Sequence, residues 1–369
     1  MVDVEFINVT KKYGDVIAIK NVSFKIEDGE YVVLCGPTGA GKTTLLYLIA
    51  GLVKPDSGEI LFNGQPINDV PPEERSVGFM FETFALFPHL NVMKNVTYGP
   101  WVRGVLSGDT IASAKEILEL MHLAGWENAY PHELSGGMKQ RVALARALVA
   151  EAKVLLLDEP FGALDAKIKM ELRYEMRKLA DSLKFTAVHA THDIEEALML
   201  ADKIIVLNEG KVEQIGTPVE VYEDPKSIFV ANYMSEANFI EGRLIKKTAE
   251  YSIIDTKLDR NIRARPTDIH IDERVAVFIR SEDIDITPKK PQTKVNVFRG
   301  VVKDITFMGG FSRFEVELEE SDTLLVIRKL GDVFKRFKEK QKVYVSFNPA
   351  RAKPFLLEPG VTLANIINF

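Results

Sequence analysis

Residues 36–44 constrain the fold of this chain more than any other stretch, because they combine a glycine-rich loop with a lysine that is followed by two threonines. The stretch matches the pattern G-x-x-x-x-G-K-[ST], which is typical of phosphate-binding loops. The five residues before it are apolar and β-prone and predict a buried strand, whereas Leu45 to Ala50 predict a helix. A strand, a loop and a helix in this order are the context in which such a loop holds phosphate groups.

The chemistry of this loop follows from its residue types. Its glycines allow backbone conformations that side chains forbid, so that successive N–H groups can surround an anion at the positive end of the following helix. We expect Lys42 to reach the β- and γ-phosphates and the Thr43 hydroxyl to hold Mg²⁺. The alternative is a glycine-rich turn that binds nothing. The predicted loop residues are Gly36, Pro37, Thr38, Gly39, Ala40, Gly41, Lys42, Thr43 and Thr44.

Length and charge exclude several classes of protein. A chain of 369 residues is long enough for two or three domains, and a net charge of −6 gives no basic surface for nucleic acid. The sequence contains no run of ~18 apolar residues, so we expect no membrane span. The N-terminus lacks the pattern of a signal peptide. The single cysteine, Cys35, excludes an internal disulfide and favours a reducing compartment. These features predict a cytoplasmic location.

Two further segments place polar side chains at the ends of apolar strands. The run Lys153–Leu157 predicts a buried parallel strand, and Asp158 and Glu159 follow it. The strand predicted from Phe185 to Ala190 is followed by Thr191-His192-Asp193. Because ligands of open α/β sheets bind outside the carboxyl ends of the strands, the carboxylates of Asp158 and Glu159 are expected to face a ligand crevice.

Other candidates lie in loops and turns. Tyr13 is in a turn upstream of the phosphate loop, and we favour stacking on a nucleotide base over simple packing for its ring. Glu82 ends a short apolar strand predicted from Val77 to Phe81. The glycines of Leu134–Met138 precede a helix predicted over 139–150 and offer a second anion site at a helix N-terminus.

Strands dominate the chain from about residue 235. Residues 311–318 alternate apolar and charged side chains, as expected of a strand with one buried and one wet face. Gly309-Gly310 predicts the turn that joins this strand to the one over 301–307. Short strands with glycine turns favour a small β-barrel of the OB type.

The order of these pieces resembles the ATPase subunits of ATP-binding cassette importers. The chain looks most like the maltose-, polyamine-, iron- and oxyanion-type subunits that carry a C-terminal regulatory β-domain. The resemblance implies an α/β P-loop cassette with a helical subdomain, followed by a small OB-like β-barrel domain. It implies a cassette over residues 1–234, with its helical subdomain at about 88–150, and a regulatory domain over 235–369.

The resemblance also implies roles for residues near the nucleotide. Tyr13 matches the aromatic that stacks on adenine, and Asp158 matches the aspartate associated with Mg²⁺. Glu159 matches the catalytic carboxylate, and His192 matches the switch histidine near the γ-phosphate. Glu82 stands where the family usually has a glutamine that senses Mg²⁺ and the attacking water, so it is expected to contribute to metal binding and catalysis while adding negative charge beside the phosphates.

Another set of residues is implied to act across a dimer. Leu134–Met138 match the Leu-Ser-Gly-Gly-Gln signature, with Met138 in place of the glutamine, and Ser135, Gly136 and Gly137 would bind the ATP of the partner copy. Asp165 matches an aspartate at the dimer interface, although a plain helix N-cap is the alternative for this residue.

The resemblance finally implies an activity and its partners. The expected activity is hydrolysis of Mg-ATP by a homodimer, or by a heterodimer with a close paralogue, at the cytoplasmic face of the cell membrane. The expected partners are two integral-membrane permease subunits and, indirectly, an extracytoplasmic solute-binding protein. The transported solute stays open among sugars, polyamines, ferric ion and oxyanions. The alternative is a soluble ATP-binding cassette switch or regulatory protein that is not coupled to transport.

Overall fold

The computed structural model describes residues 2–150, 152–258, 260–293, 295–319, 321, 323–363 and 366. Contacts divide the chain into two compact units, Met1–Asp224 and Pro225–Phe369. This division falls between residues 224 and 225, whereas the sequence places a domain boundary between 234 and 235. Ile228 and Ala231, which lie between the two positions, pack with Ala276 and Phe278 in one apolar cluster of the second unit.

The first unit contains an antiparallel sheet and a mainly parallel sheet. The antiparallel sheet has the strand order β2-β1-β4-β5, and the other has the order β10-β9-β3-β8-β7-β6. The strands are β1 Val4–Tyr13, β2 Val16–Ile26, β3 Tyr31–Cys35, β4 Ser57–Phe62, β5 Gln65–Pro66, β6 Val77–Met80, β7 Val154–Asp158, β8 Thr186–Thr191, β9 Lys203–Asn208 and β10 Lys211–Gly216. Strands β1 and β2 lie upstream of the phosphate loop and pair antiparallel.

The parallel strands are apolar because both faces of their sheet are covered. Every residue of β3 and β7 is buried, as a continuous apolar run predicts for a central parallel strand. One large core cluster joins apolar side chains of the antiparallel sheet, of α1 (Lys42–Ala50) and of strands β3, β7, β8 and β9. Cys35 is buried at the end of β3.

The helices of the first unit begin mostly at side-chain caps. They are α1, α2 Val92–Val96, α3 Tyr98–Val102, α4 Gly108–Leu120, α5 Gly136–Val149, α6 Ala166–Leu183, α7 Ile194–Leu200 and α8 Pro218–Glu223. Ser107 caps α4 by accepting a hydrogen bond from Thr110 N–H. Helix α5 starts three residues before the predicted position 139, because the Ser135 hydroxyl accepts a hydrogen bond from Met138 N–H and supports a first turn with two glycines.

The described part of the second unit consists mainly of β-strands and includes the short helix α9 (Ile228–Met234). Its sheets have the strand orders β13-β12-β11-β14-β20 and β15-β19-β16-β17-β18 and share one apolar core. The strands are β11 Ala237–Lys247, β12 Ser252–Thr256, β13 Ile262–Ala264, β14 Arg274–Arg280, β15 Ile284–Thr287, β16 Val297–Phe307, β17 Phe311–Leu318, β18 Leu324–Leu330, β19 Lys342–Phe347 and β20 Lys353–Leu356. This arrangement confirms the predicted OB-like domain. No helix in the described part of the chain is long and apolar enough to cross a membrane.

Candidate functional site

An open cleft of about 670 Å³ lies at the carboxyl ends of the parallel strands of the first unit. The loops after β3, β6, β7 and β8 meet there, because these strands are neighbours in the sheet. The cleft brings together most of the side chains that the sequence singles out. Its lining residues are Val16, Ile17, Ala18, Thr38, Gly39, Gly41, Lys42, Thr43, Thr44, Glu82, Phe84, Gln140, Asp158, Glu159, Gly162, Ala163, His192 and Glu209.

The glycines of the loop before α1 are required for two different reasons. Gly41 has φ +103°, in the left-handed region that favours glycine, and a side chain on it would approach Ala18 O to 2.7 Å. Gly36 has an ordinary backbone conformation, but a Cβ atom there would come within 2.3 Å of Leu207 O. The loop can therefore pack closely against the backbone at Ala18 and Leu207 only because neither position carries a side chain.

Lys42 lies at the first position of α1, with its ammonium group inside the loop. Its Nζ donates hydrogen bonds to Gly36 O at 2.7 Å and to Pro37 O at 3.0 Å. Burial lowers the pKa of Lys42, against the opposing influence of the Glu159 and Asp158 charges. Phosphate oxygens can replace the two carbonyl acceptors without moving the lysine far.

Asp158 is the buried carboxylate at the end of β7. The Thr43 hydroxyl donates a hydrogen bond to its Oδ1 at 3.1 Å, so that the loop and the strand end are joined. Burial, together with the charges of Glu82 and Glu159, raises the pKa of Asp158 from 3.8 to about 6. A cation bound beside Asp158 would offset both causes of this shift.

The raised pKa predicts a pH dependence of stability for the nucleotide-free, metal-free protein. Between pH 3.8 and about 6 the folded state binds more protons at Asp158 than the unfolded state, so rising pH destabilises the fold. We expect the free energy of unfolding of the wild type, relative to Asp158→Asn, to fall by at most about 3 kcal/mol across this window. Urea unfolding in EDTA at a series of pH values measures this free energy. The fluorescence of Trp101 and Trp126, which both lie in the first unit, monitors the transition.

The control for this experiment is Asp69→Asn. Asp69 is exposed, and its hydrogen bond with Lys54 lowers the pKa of its carboxyl, so its contribution has the opposite sign. A wild type whose stability relative to Asp158→Asn is constant or rises between pH 4 and 6 would contradict the assigned environment of Asp158.

Glu159 and His192 form a pair at the mouth of the cleft. Glu159 Oε1 accepts a hydrogen bond from His192 N–H at 3.1 Å and lies 2.8 Å from His192 Nδ1. The Glu159 side chain is 16% exposed and that of His192 66%, so the carboxylate is sheltered while the imidazole faces the open cleft. The pair is therefore joined directly, and both side chains line the cleft where a ligand would lie.

A buried polar network lies behind this pair. The Thr191 hydroxyl lies 3.4 Å from Glu159 Oε2 and donates a hydrogen bond to Glu196 Oε2 at 2.7 Å. Arg173 donates to Glu196 Oε1 at 2.8 Å, and His189 Nε2 lies 3.3 Å from Glu196 Oε2. Burial alone would raise the pKa of Glu196. The hydrogen bond and the charge of His189, together with the hydrogen bond from Arg173, outweigh burial and hold this pKa well below its ordinary value. His189 is thus an interior histidine, fully buried within this network.

Helix α5 fixes two loops of the cleft through polar side chains. The buried Gln140 amide donates to Glu159 O and accepts from Ala163 N–H, both at 3.1 Å. Arg146 donates to Phe84 O at 2.9 Å and to Ala85 O at 2.8 Å, where both residues have positive φ. The loop that follows Glu82 and the loop that follows Glu159 are therefore attached to the same helix.

Several predicted residues do not line the cleft. Tyr13 lies at the end of β1 with its ring 46% exposed, and the neighbouring Val16 and Ile17 form this part of the wall. Ser135 is exposed and caps α5, and Asp165 caps α6 by accepting from Ile168 N–H at 3.1 Å. The structure thus gives Asp165 the N-cap geometry that the sequence offers as an alternative. Further predicted loop residues outside the lining are Gly36, Pro37, Ala40, Gly136 and Gly137.

The sequence interpretation missed one residue of the cleft lining and two residues behind it. Gln140 is a buried polar residue on α5 that lines the cleft, whereas Arg173 on α6 and Thr191 at the end of β8 are buried in the network behind it. One feature of the sequence could have identified Gln140 as a buried polar residue. It precedes the apolar residues Ala143, Leu144 and Ala147 at helical spacing, and all three are buried on the same face.

Charge in the cleft bears on which ligands it can take. Its described lining carries four carboxylates, Glu82, Asp158, Glu159 and Glu209, against one lysine. No three His, Cys, Asp or Glu side chains of the described chain are arranged to hold a metal by themselves. The hydroxyl of Thr43 and the carboxylate of Asp158 are the hard oxygen donors that Mg²⁺ prefers, and a phosphate ligand would supply further oxygens. The donor set therefore fits a magnesium–nucleotide complex better than either component alone.

Comparison with family models gives two matches. Residues 19–162 match the ABC transporter model, and residues 277–355 match the TOBE domain model. The first match contains the phosphate loop, the helix α5 and Glu159, and the second lies within the β domain.

Relatives and solved structures agree with these matches. The sulfate/thiosulfate import ATP-binding protein of Synechocystis is 40% identical over 318 residues, covering 86% of this chain and 85% of the relative. The spermidine/putrescine import ATP-binding protein of Trichormus variabilis is also 40% identical, over 319 residues that cover 86% and 84% of the two chains. The dimeric structure of a bacterial ABC transporter cassette is 37% identical, with a TM-score of 0.54 over 58% of this chain and 98% of the cassette. A post-hydrolysis state bound to ADP and Pi matches equally well.

Proposed function

Because this chain belongs to the ABC transporter family, we propose that it is the ATP-hydrolysing subunit of an importer and that it acts on Mg-ATP as a dimer. One observation carries the proposal: a single cleft joins the phosphate loop to Asp158, Glu159 and His192. Phosphoryl transfer to water needs positioning and charge neutralisation more than covalent chemistry, and this cleft offers both.

The phosphate loop binds the nucleotide in this proposal. Lys42 exchanges its two carbonyl acceptors for oxygens of the β- and γ-phosphates, and the backbone N–H groups at the start of α1 hold the same anion. Tyr13 stacks on the base beside Val16 and Ile17, since all three lie at the adjoining ends of β1 and β2. The contributing loop residues are Gly36, Pro37, Thr38, Gly39, Ala40, Gly41, Lys42, Thr43 and Thr44.

Three side chains would hold Mg²⁺ together with phosphate oxygens. Thr43 and Asp158 are already joined by a hydrogen bond, and Glu82 lines the same cleft. The cation would neutralise charge on the phosphates and offset the carboxylates that otherwise repel a triphosphate.

Hydrolysis depends on Glu159 and His192. Glu159 orients the attacking water and accepts its proton, while His192 holds the carboxylate through Nδ1 and its backbone N–H. Lys42 stabilises the charge that develops on the phosphoryl oxygens. The 16% exposure of Glu159 allows one face of its carboxylate to reach water in the cleft.

The dimer completes each site. Ser135, Gly136 and Gly137 lie at the start of α5 and would bind the ATP held by the partner copy, and Asp165 would lie at the same interface. The dimeric cassette structure supports this arrangement. We propose a homodimer. A heterodimer with a close paralogue is the alternative assembly, and it would form the same two composite sites.

Membrane subunits are the proposed targets of the ATPase cycle. The segment after α2 exposes a cluster of apolar side chains, with Trp101 62% and Val102 60% exposed, which suits docking of a permease. The subunit would therefore sit at the cytoplasmic face of the membrane, beside two permease subunits and indirectly an extracytoplasmic solute-binding protein. Relatives of equal identity are named for sulfate and for spermidine import, so we assign cargo selection to the other subunits.

Purification from native membranes tests the assignment. A tagged chain extracted in mild detergent is expected to bring integral-membrane subunits with it in a 2:2 complex, identified by mass spectrometry. A chain that arrives alone, or with ribosomal or DNA-associated proteins, would replace the importer assignment with a soluble switch.

Replacement of Glu82 by glutamine is expected to weaken the requirement for magnesium in nucleotide binding. The variant removes one of the four carboxylates of the cleft, so repulsion of the phosphates falls. We expect the affinity for ATP in EDTA to rise by about 3- to 10-fold, with a smaller change for Mg-ATP. Calorimetric titration with and without Mg²⁺ measures both affinities.

The matched control is Glu59→Gln, which removes an exposed carboxylate from the antiparallel sheet. It is expected to leave both affinities as in the wild type. If Glu82→Gln behaves like Glu59→Gln, the side chain of Glu82 does not face the phosphates.

A further inference from the structure

Glu159 is held in an uncommon backbone conformation. Its φ is +49°, in the left-handed region, which is strained for a non-glycine residue and persists only when neighbours enforce it. Three contacts fix its side chain from the β8 side, namely His192 N–H, His192 Nδ1 and the Thr191 hydroxyl. Its own N–H donates to Ala190 O at 3.0 Å. These bonds all come from one direction.

The opposite side of the Glu159 peptide is held by one side chain. Gln140 is 1% exposed, and its Nε2 donates to Glu159 O while its Oε1 accepts from Ala163 N–H, both at 3.1 Å. Gly162 N–H also donates to Glu159 O, at 3.2 Å, and closes the turn. The Gln140 amide thus bridges both ends of the Glu159–Ala163 turn.

We propose that Gln140 is a positioning residue for hydrolysis, which fixes Glu159 in its left-handed conformation and aims its carboxylate into the cleft. The inference rests on the proposed function, because it assigns Glu159 the role of general base. A primary amide suits the task, since it is the uncharged side chain that offers a donor and an acceptor at once. An aliphatic side chain would leave Glu159 O and Ala163 N–H without this partner.

The position of Gln140 gives the arrangement a consequence for the dimer. Gln140 lies on α5, the helix whose first turn carries Gly136 and Gly137 and whose cap is Ser135. Five residues of helix separate this cap from Gln140, which corresponds to about 7.5 Å along the axis. The first turn of α5 and the side chain that holds the Glu159 peptide therefore belong to one helix.

The first test compares Gln140→Met with the wild type as full-length protein. Methionine has a similar volume but neither hydrogen bond, so the turn loses its bridge while the helix stays packed. We expect the single-turnover rate of ATP hydrolysis to fall about 10- to 100-fold, because small misplacements of a reacting group have effects of this size. The Kd for ATP, measured separately by calorimetry, is expected to stay at the wild-type value.

A double-mutant cycle separates positioning from a general structural role. If Gln140 acts through the Glu159 carboxylate, Gln140→Met in a Glu159→Ala background lowers the residual rate no further. Losses that add in the double variant would overturn the proposal. A wild type that hydrolyses ATP and depends on Glu159, together with a Gln140→Met variant of unchanged rate, would also overturn it while leaving the proposed function intact.

Two more variants complete the experiment. Gln140→Glu keeps an acceptor for Ala163 N–H but loses the amide donor to Glu159 O. It is therefore expected to lower the hydrolysis rate as Gln140→Met does, and it replaces that variant in the test if methionine impairs folding. Val142→Ala removes buried apolar volume from the same helix without touching Glu159. It is expected to lower the stability of the protein but to leave the hydrolysis rate unchanged, and an equal loss of rate in Val142→Ala would contradict a specific role of Gln140.

Discussion

Replacement of Glu159 by glutamine is expected to lower the rate of ATP hydrolysis by about 10²- to 10⁴-fold, the usual contribution of a positioned general base. The amide keeps the volume of the side chain but cannot accept the proton of the attacking water. Lys42 and the loop amides do not depend on this carboxylate, so the affinity for Mg-ATP is expected to persist. Single-turnover hydrolysis and equilibrium binding of Mg-ATP measure the two quantities separately.

The control for Glu159→Gln is Glu195→Gln on α7. The Glu195 side chain is 79% exposed and lies 3.5 Å from Arg173 Nη1, outside the lining of the cleft. It is expected to hydrolyse ATP at the wild-type rate. A Glu159→Gln variant with wild-type turnover would remove Glu159 from the mechanism and with it the proposed role of Gln140.

The sequence predicted the elements of the site well because each is encoded locally. The apolar run of β3 leads into the loop at 36–44, and the run of β7 ends at Asp158, so strand ends and polar residues could be read together. Parallel pairing of β3 with β8 and of β8 with β7 then places these ends side by side. The C-terminal β domain was predicted in the same way, from alternation and from the Gly309-Gly310 turn.

Other features depend on contacts between distant segments and leave weaker traces in the sequence. Gln140 reaches a loop nineteen residues away, and Arg146 reaches Phe84 across sixty-two residues. The sequence shows that these residues are polar and helical, but which carbonyl they contact is set by the packing of α5. The partners of Lys42 are close in sequence, but they too could not be read from it. Its bonds to Gly36 O and Pro37 O follow from the curvature of the folded loop.

The two departures from the family pattern affect different groups. Glu82 lies in the cleft, where its charge contributes to the raised pKa of Asp158, so its effect is electrostatic. Met138 contributes its backbone N–H to the Ser135 cap, a bond that any residue at this position can make. We therefore expect the glutamate to alter metal dependence more than the methionine alters the helix start.

Replacement of Arg173 by methionine is expected to destabilise the first unit by about 3 kcal/mol. Arg173 is 3% exposed and pairs with the equally buried Glu196 and with Asp193, so its removal leaves buried charge without its main partner. Loss of one member of a buried pair typically costs 3–5 kcal/mol. Lys169 lies 3.1 Å from Glu196 and still neutralises part of its charge in the variant. We therefore expect a loss of stability at the lower end of this range.

The matched control for Arg173→Met is Arg177→Met, one turn further along α6. Arg177 pairs with Asp181 and Asp202, whose side chains are 51% and 40% exposed, so water can replace the arginine and a loss of about 1 kcal/mol or less is expected. Urea unfolding followed by Trp101 and Trp126 reports on the first unit, because both tryptophans lie there. Equal losses in the two variants would show that the Glu196 network does not behave as a buried pair. A larger loss in Arg173→Met, accompanied by slower hydrolysis, would connect this network through Thr191 to Glu159.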